Sequence, residues 1–418
     1  MLTSLLFCFG LICWSGSAHA ESTAELKAQL KAMQEQMQTM QSTMQAMQDR
    51  INELEGQPGA AAQGAEGAAP SVWTKYHMRL YGKVKIDANY DTAQFARYND
   101  FVGAVAAGSD HKNDSTNFNP RDTRFGFEAS HAFGNWVTKG RFEIDFYGSN
   151  APGSNGDNLI PRMRLGYIDL NNVKSGTDIR VGQDWIPVAT LNPSTVDFGI
   201  LTAAGNLWWR VPQITVRQKV GVLEFTGSLM KHRRTDTANE DRMPWMLARV
   251  ALNGGFLGEG NMFAIGGGYR HADYNTNSSE NTDRWLIAGE AKYGIGPFLM
   301  KGELWTGQGL GKNFLRYDLD MAEDGSPASA YGGWFDITYH MNPKMSFTAG
   351  YGFDNPDNDD IDTFNDRRFT RNEQYFLNAW YTITKPLKVG VEWIHIETER
   401  HQEVNTGNRY TASMMYMF

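Results

Sequence analysis

From residue 73 to residue 418 the chain alternates, segment after segment, between apolar and ionic residues. Between Trp136 and Tyr147, one face carries Trp136, Thr138, Gly140, Phe142, Ile144 and Phe146. The other carries Val137, Lys139, Arg141, Glu143, Asp145 and Tyr147. Leu80, Gly82, Val84, Ile86, Ala88 and Tyr90 likewise oppose Tyr81, Lys83, Lys85, Asp87, Asn89 and Asp91. A period of two is the signature of a strand with unlike faces. A soluble sandwich or barrel would turn the greasy face inward and need a large core for so many strands. A membrane barrel turns it toward lipid and lines a wet interior with charge. Lipid offers no hydrogen bonds to a sheet edge, so such a sheet must close on itself.

The same pattern runs through Met345–Phe353, Tyr375–Ile383 and Leu387–Trp393. It predicts an all-β transmembrane barrel of about 16 antiparallel strands, each about ten residues long. Segments 222–231, 261–272 and 329–340 carry glycine or a face switch and are the least regular strands. Short turns such as Phe133-Gly134-Asn135, Asn342-Pro343 and Thr384-Lys385-Pro386 mark one end of the barrel. Polar segments 92–122, 149–161, 187–212, 232–242, 307–328 and 354–371 mark the other. The final strand places Tyr410, Ala412, Met414, Tyr416 and Phe418 on one face. That ending resembles the insertion signal of bacterial outer-membrane barrels.

Three further segments precede the barrel. Residues 1–20 read as a secretory signal peptide, with an apolar core and Ala18-His19-Ala20 as the cleavage site. Both cysteines, Cys8 and Cys13, lie within it, so the mature chain would carry neither disulfides nor cysteine-held metal. Residues 21–55 place Leu26, Leu30, Met33, Met37, Met40, Met44, Met47, Ile51 and Leu54 at spacings of four and three. That heptad seam predicts a coiled coil, and so a homo-oligomer, because so narrow a stripe needs partner helices. The methionines leave the number of helices open. Residues 56–72 form a Gly/Ala/Pro linker.

The inward faces carry cations on the first, third, fourth, fifth and sixth strands: Lys83, Lys85, Lys139, Arg141, Arg162, Arg164, Arg180, Arg217 and Lys219. Neighbouring strands set them on one wall, a field that attracts anions. Asp87, Glu143, Asp145 and Asp184 sit among them, so paired charges that only hydrate the lumen are an alternative. Segment 187–212 is apolar for an exposed loop. Folded inward it becomes a constriction loop, with Asp197 and Arg210 as candidate lining residues; docked outward it would serve a subunit interface.

A net charge of −8 argues against a nucleic-acid partner. The acidic run Asp354, Asp357, Asp359, Asp360, Asp362 and Asp366 lacks the ligand order of a calcium loop and reads as solvated, so no metal is expected. No G-x-S-x-G or H-E-x-x-H motif occurs, and Gly307–Asn313 falls short of a phosphate loop. No enzyme and no cofactor are expected.

Leu80–Ala88, Thr123–Phe127, Gly140–Gly148, Arg162–Leu170 and Val181–Trp185, together with the heptads before them, resemble the DcaP-like trimeric porins of Gram-negative outer membranes. The resemblance is clearest over residues 24–186. It implies a sixteen-stranded barrel in outer-membrane lipid, a trimer, a periplasmic coiled coil and uptake of small organic anions such as dicarboxylates. The phosphate-selective porins are the nearest alternative. A structural envelope tether and a barrel sheath for a redox partner are further alternatives.

Overall fold

A computed structural model describes residues 77–95, 102–109, 113–148, 159–232, 243–275, 278–314, 316, 319–322, 324–361 and 368–418. The expected signal peptide, coiled coil and linker lie outside these residues.

The described strands are β1 (His77–Asp91), β2 (Ser115–Asn119), β3 (Arg124–Phe133), β4 (Trp136–Asp145), β5 (Arg162–Asn172), β6 (Thr177–Trp185), β7 (Arg210–Val220), β8 (Leu223–Met230) and β9 (Trp245–Asn253). They continue with β10 (Met262–Asn275), β11 (Ser278–Ile295), β12 (Phe298–Gln308), β13 (Ser329–Asn342), β14 (Met345–Pro356), β15 (Arg371–Thr384), β16 (Leu387–Glu399) and β17 (Val404–Met417). All join one sheet of antiparallel neighbours. β2 and β3 lie end to end along the same side of β1, so the seventeen strands make sixteen staves. The barrel closes where β1 pairs with β17, Lys83 opposite Met417 and Asp91 opposite Arg409. Beyond the last paired strand residue, Phe418 and Gly82 exchange backbone hydrogen bonds of 3.0 and 3.1 Å.

The faces follow the sequence pattern. Leu80 is 67% exposed, Phe142 47% and Tyr416 50%, whereas Lys85 on the opposite face of β1 is 2% exposed. The three irregular segments are strands β8, β10 and β13.

Three expectations need correction. Segment 92–122 is not all loop, because β2 lies within it. Segment 187–212 ends earlier, since Arg210 already pairs with Trp185 as the first residue of β7. The alternation of short and long connections also lapses: β10 ends at Asn275 and β11 begins at Ser278, at the long-loop end.

The interior is less uniform than alternation predicts. Its cationic wall is polar, but inward residues of later strands are apolar and buried: Trp245, Leu247, Leu286, Trp305, Trp334, Phe376, Ile394 and Ile396. They pack against Ile186, Val188 and Leu207 in one cluster and against Phe95, Val102, Leu201 and Ala204 in another. Loop segments inside the barrel need apolar surface to bury against, and this half of the wall provides it.

Candidate channel constriction

Residues between Trp185 and Arg210 run inward and are held by side chains of the far wall. The Glu290 carboxylate on β11 accepts the backbone N–H groups of Thr190 and Leu191 at 2.9 and 3.0 Å. Asp336 on β13 accepts Ser194 N–H at 2.6 Å. Glu392 on β16 accepts Val196 and Asp197 N–H at 2.6 and 2.7 Å. Glu303 on β12 accepts Leu207 N–H at 3.2 Å. Carbonyls are met in turn: Lys85 Nζ donates to Val196 O at 2.7 Å, Asn378 to Ser194 O at 2.8 Å, and the Trp305 indole to Gly205 O at 2.7 Å. A buried loop must pair its backbone groups, and these four carboxylates do much of it.

At its tip the loop turns with Ile200, Leu201 and Ala203 at φ 43°, 56° and 56°. This left-handed backbone is costly for side-chain-bearing residues, above all β-branched isoleucine. Close approach of the loop backbone to the wall accompanies it. A Cβ on Gly205 would lie 2.0 Å from Gly333 O, and one on Gly352 would lie 2.1 Å from Ala204 O. Only glycine permits such contact.

Asp197 sits on this loop, buried, with Oδ2 2.9 Å from Arg409, whose guanidinium also grips Asp91 with two bonds of 2.7 Å.

On the opposite wall two interruptions of the ladder decide which charges face inward. Between β2 and β3, Asp87 pairs with Asn119 and Lys83 with Arg124, so five steps match four on β1. Asp122, in that extra turn, accepts from Lys83 at 2.6 Å and Arg124 at 2.9 Å and stands 3.4 Å from Lys85. In β5, Glu143 pairs with Leu165 while Ile144 pairs with Met163, leaving Arg164 as the extra residue of a bulge. Tyr167 and Asp169 face inward, so an unbroken β5 would send Arg162 and Arg164 outward. The bulge reverses the phase and brings both inside.

There Asp145 receives Arg162 at 2.7 and 3.0 Å and Arg164 at 2.7 Å, while Glu143 takes Arg164 at 2.7 Å. Arg141 lies 3.6 Å from Glu143 and donates to Tyr81 Oη at 2.6 Å. Arg180 bonds Asp169 and Asp184 at 2.5 and 2.6 Å. Arg217 bonds Asp178 at 3.0 Å, and Lys85 bonds Asp87 at 2.9 Å. Lys139 and Lys219 stand at the short-turn mouth, 3.6 Å from Glu128 and 3.9 Å from Glu224, the Lys219 side chain 69% exposed. Arg210 is the exception, buried among tryptophans without an ion pair to any described residue. Just past β4, Tyr147 stacks on Phe198 of the loop, with centroids 4.0 Å apart. Burial pushes its phenol well above the ordinary value.

Two cavities lie between loop and wall. One, of about 570 Å³, is lined by six cations (Lys83, Lys85, Arg124, Arg164, Lys344, Lys388) against two carboxylates, Asp122 and Asp197. The other, of about 560 Å³, has six arginines against Glu143, Asp184 and Glu224. Arg124, Arg164, Trp185 and Asn192 border both. The arrangement can hold water and draw anions to a narrow passage.

The sequence reading missed Asp122, Arg124, Glu290, Glu303, Asp336, Glu392 and Arg409. Asp122 lies in a polar connection between strands, the others alternate like any inward polar residue, and nothing local marks the role of any of them. The bulge at Arg164 carries no glycine; Pro120 was the one signal for the other break.

No family model matches the chain, and no curated protein matches it. Solved structures do. The outer membrane channel DcaP of Acinetobacter baumannii superimposes with a TM-score of 0.69 at 22% identity, over 82% of this chain and 98% of that one. An anion-selective porin from Comamonas acidovorans follows at 0.58 and 11%, over 82% of this chain and 100% of its own. Salmonella typhi OmpF, in complex with daunomycin, gives 0.54 and 12% over 82% and 98%. The chain shares the fold of these outer-membrane barrels.

Proposed function

We propose that this chain is a passive diffusion channel of the Gram-negative outer membrane, admitting small hydrophilic solutes and favouring small organic anions. The observation that carries the reading is the cavity beside the inward loop, with six cations facing two carboxylates. In a confined passage of low dielectric constant such an excess concentrates anions and repels cations. The apolar exterior and the closed ladder support a place in lipid. The anion-selective porin among the fold's relatives agrees with the sign of the preference. On this reading residues 21–55 stand in the periplasm, and their heptads join three copies.

Reconstitution in planar bilayers tests it. Stable single-channel steps are expected, with a reversal potential in a steep KCl gradient that reports chloride as the more permeant ion. The absence of any stable current would overturn the channel. A potential of the opposite sign would overturn the anion preference alone.

A further inference from the structure

Arg210 is 5% exposed, and its Nη1 is fully buried without a hydrogen-bond acceptor. No carboxylate forms an ion pair with it among the described residues. Its guanidinium carbon instead lies 4.8 Å from the Trp185 ring centre, 5.4 Å from Trp209 and 5.6 Å from Trp208. Two of these indoles are shared with other cations. Arg164 lies 5.6 Å from the Trp185 ring and Arg162 5.6 Å from that of Trp209. Three guanidiniums therefore converge on two indoles.

The local carboxylates are already committed. Asp145 receives both Arg162 and Arg164, and Glu143 receives Arg164 and faces Arg141. With Arg141 sharing Glu143, four arginines meet two carboxylates, and the guanidinium left with no carboxylate at all is that of Arg210. A guanidinium does not shed its proton, so neutralisation is closed to it. Indole faces attract a cation, but far less than burial of an unpaired charge costs.

From this we infer that Arg210 heads a binding site for one monovalent, weakly hydrated anion, such as iodide or thiocyanate, with chloride a weaker occupant. The one unpaired guanidinium sets the valence. The indole walls set the hydration class, because they cannot replace the water shell of sulfate or phosphate. The site stands at the root of the loop, where Trp185 and Arg210 pair across β6 and β7. It does not depend on the barrel conducting.

Iodide quenching of tryptophan fluorescence tests the site in the purified, folded full chain. Sodium fluoride keeps the ionic strength constant. A saturable static component is expected, seen as intensity lost without a matching fall in lifetime. Thiocyanate should compete for it and sulfate should not. Arg210→Gln should weaken iodide by about tenfold or more, the scale of a charge-assisted hydrogen bond in a buried site. Arg162 keeps more solvent contact and leaves Asp145 paired with Arg164, so Arg162→Gln serves if Arg210→Gln fails to fold; it should weaken iodide severalfold. Purely collisional quenching in the wild type overturns the proposal, as does an affinity unchanged in whichever variant folds. Competition by sulfate as effective as by thiocyanate overturns the assigned class. Wild-type channels that conduct while showing no saturable quenching would sink this site and leave the channel standing.

Discussion

Glu392 shows how much one inward carboxylate does here. Its two oxygens take consecutive backbone N–H groups of the loop, and Asn378 donates to it at 2.9 Å. In Glu392→Ala both N–H groups stay buried with no acceptor, at about 1–3 kcal/mol each. Glu392→Gln keeps one carbonyl acceptor and should lose about half as much. The expected readouts are a lower midpoint for loss of the compact form in heat-modifiability gels and noisier single-channel current as the loop loosens. Unchanged midpoint and noise in Glu392→Ala would show that the other three carboxylates hold the loop without it. The sequence displayed Glu392 as one more polar residue alternating with Val391 and Trp393. What it grips lies 195 residues away along the chain, a distance no local pattern spans.

At the scale of the strand, the period-two rhythm predicts which residues face outward because each stave obeys it for most of its length. It could not locate the two phase breaks, since an extra residue in a ladder is visible only against its partner strand. The bulge is what turns Arg162 and Arg164 toward Asp145 and Glu143. The bulge makes a sharp prediction about deletions. Removing Arg164 lets Glu143–Leu165 and Ile144–Met163 pair without interruption, so a folded barrel is expected, with a smaller anion preference. Removing Ile168 from the regular part of β5 turns one side of the strand over. It would present charges such as Asp169 or Arg162 to lipid, and cationic side chains there cost about 2–4 kcal/mol each near the bilayer centre. Heat-modifiability after refolding separates the two. Equal folding of both deletions would mean that the phase of β5 is not what places the arginines.

Across the whole molecule the two walls have different tasks. Glu290, Glu303, Asp336 and Glu392 on the far wall are occupied by the loop backbone, so their charge is spent locally. On the cationic wall most charges are paired, and Arg141 and Lys139 are among them. Inverting those two would leave Glu128 and Glu143 facing new carboxylates, which confuses selectivity with stability. Lys344 in the β13–β14 turn and Lys388 on β16 are better probes. They line the cavity where six cations face Asp122 and Asp197, and they form no ion pair with any described residue. Their field reaches the passage through water, where the screening length falls from about 10 Å at 0.1 M salt to about 3 Å at 1 M. Lys344→Glu with Lys388→Glu should therefore keep the barrel's stability and conductance. It should also move the reversal potential toward cations, strongly in dilute salt and weakly in concentrated salt at the same gradient ratio. A shift of equal size at both ionic strengths would place the selectivity among the buried arginines, where screening is weak. The vestibule lysines would then be bystanders.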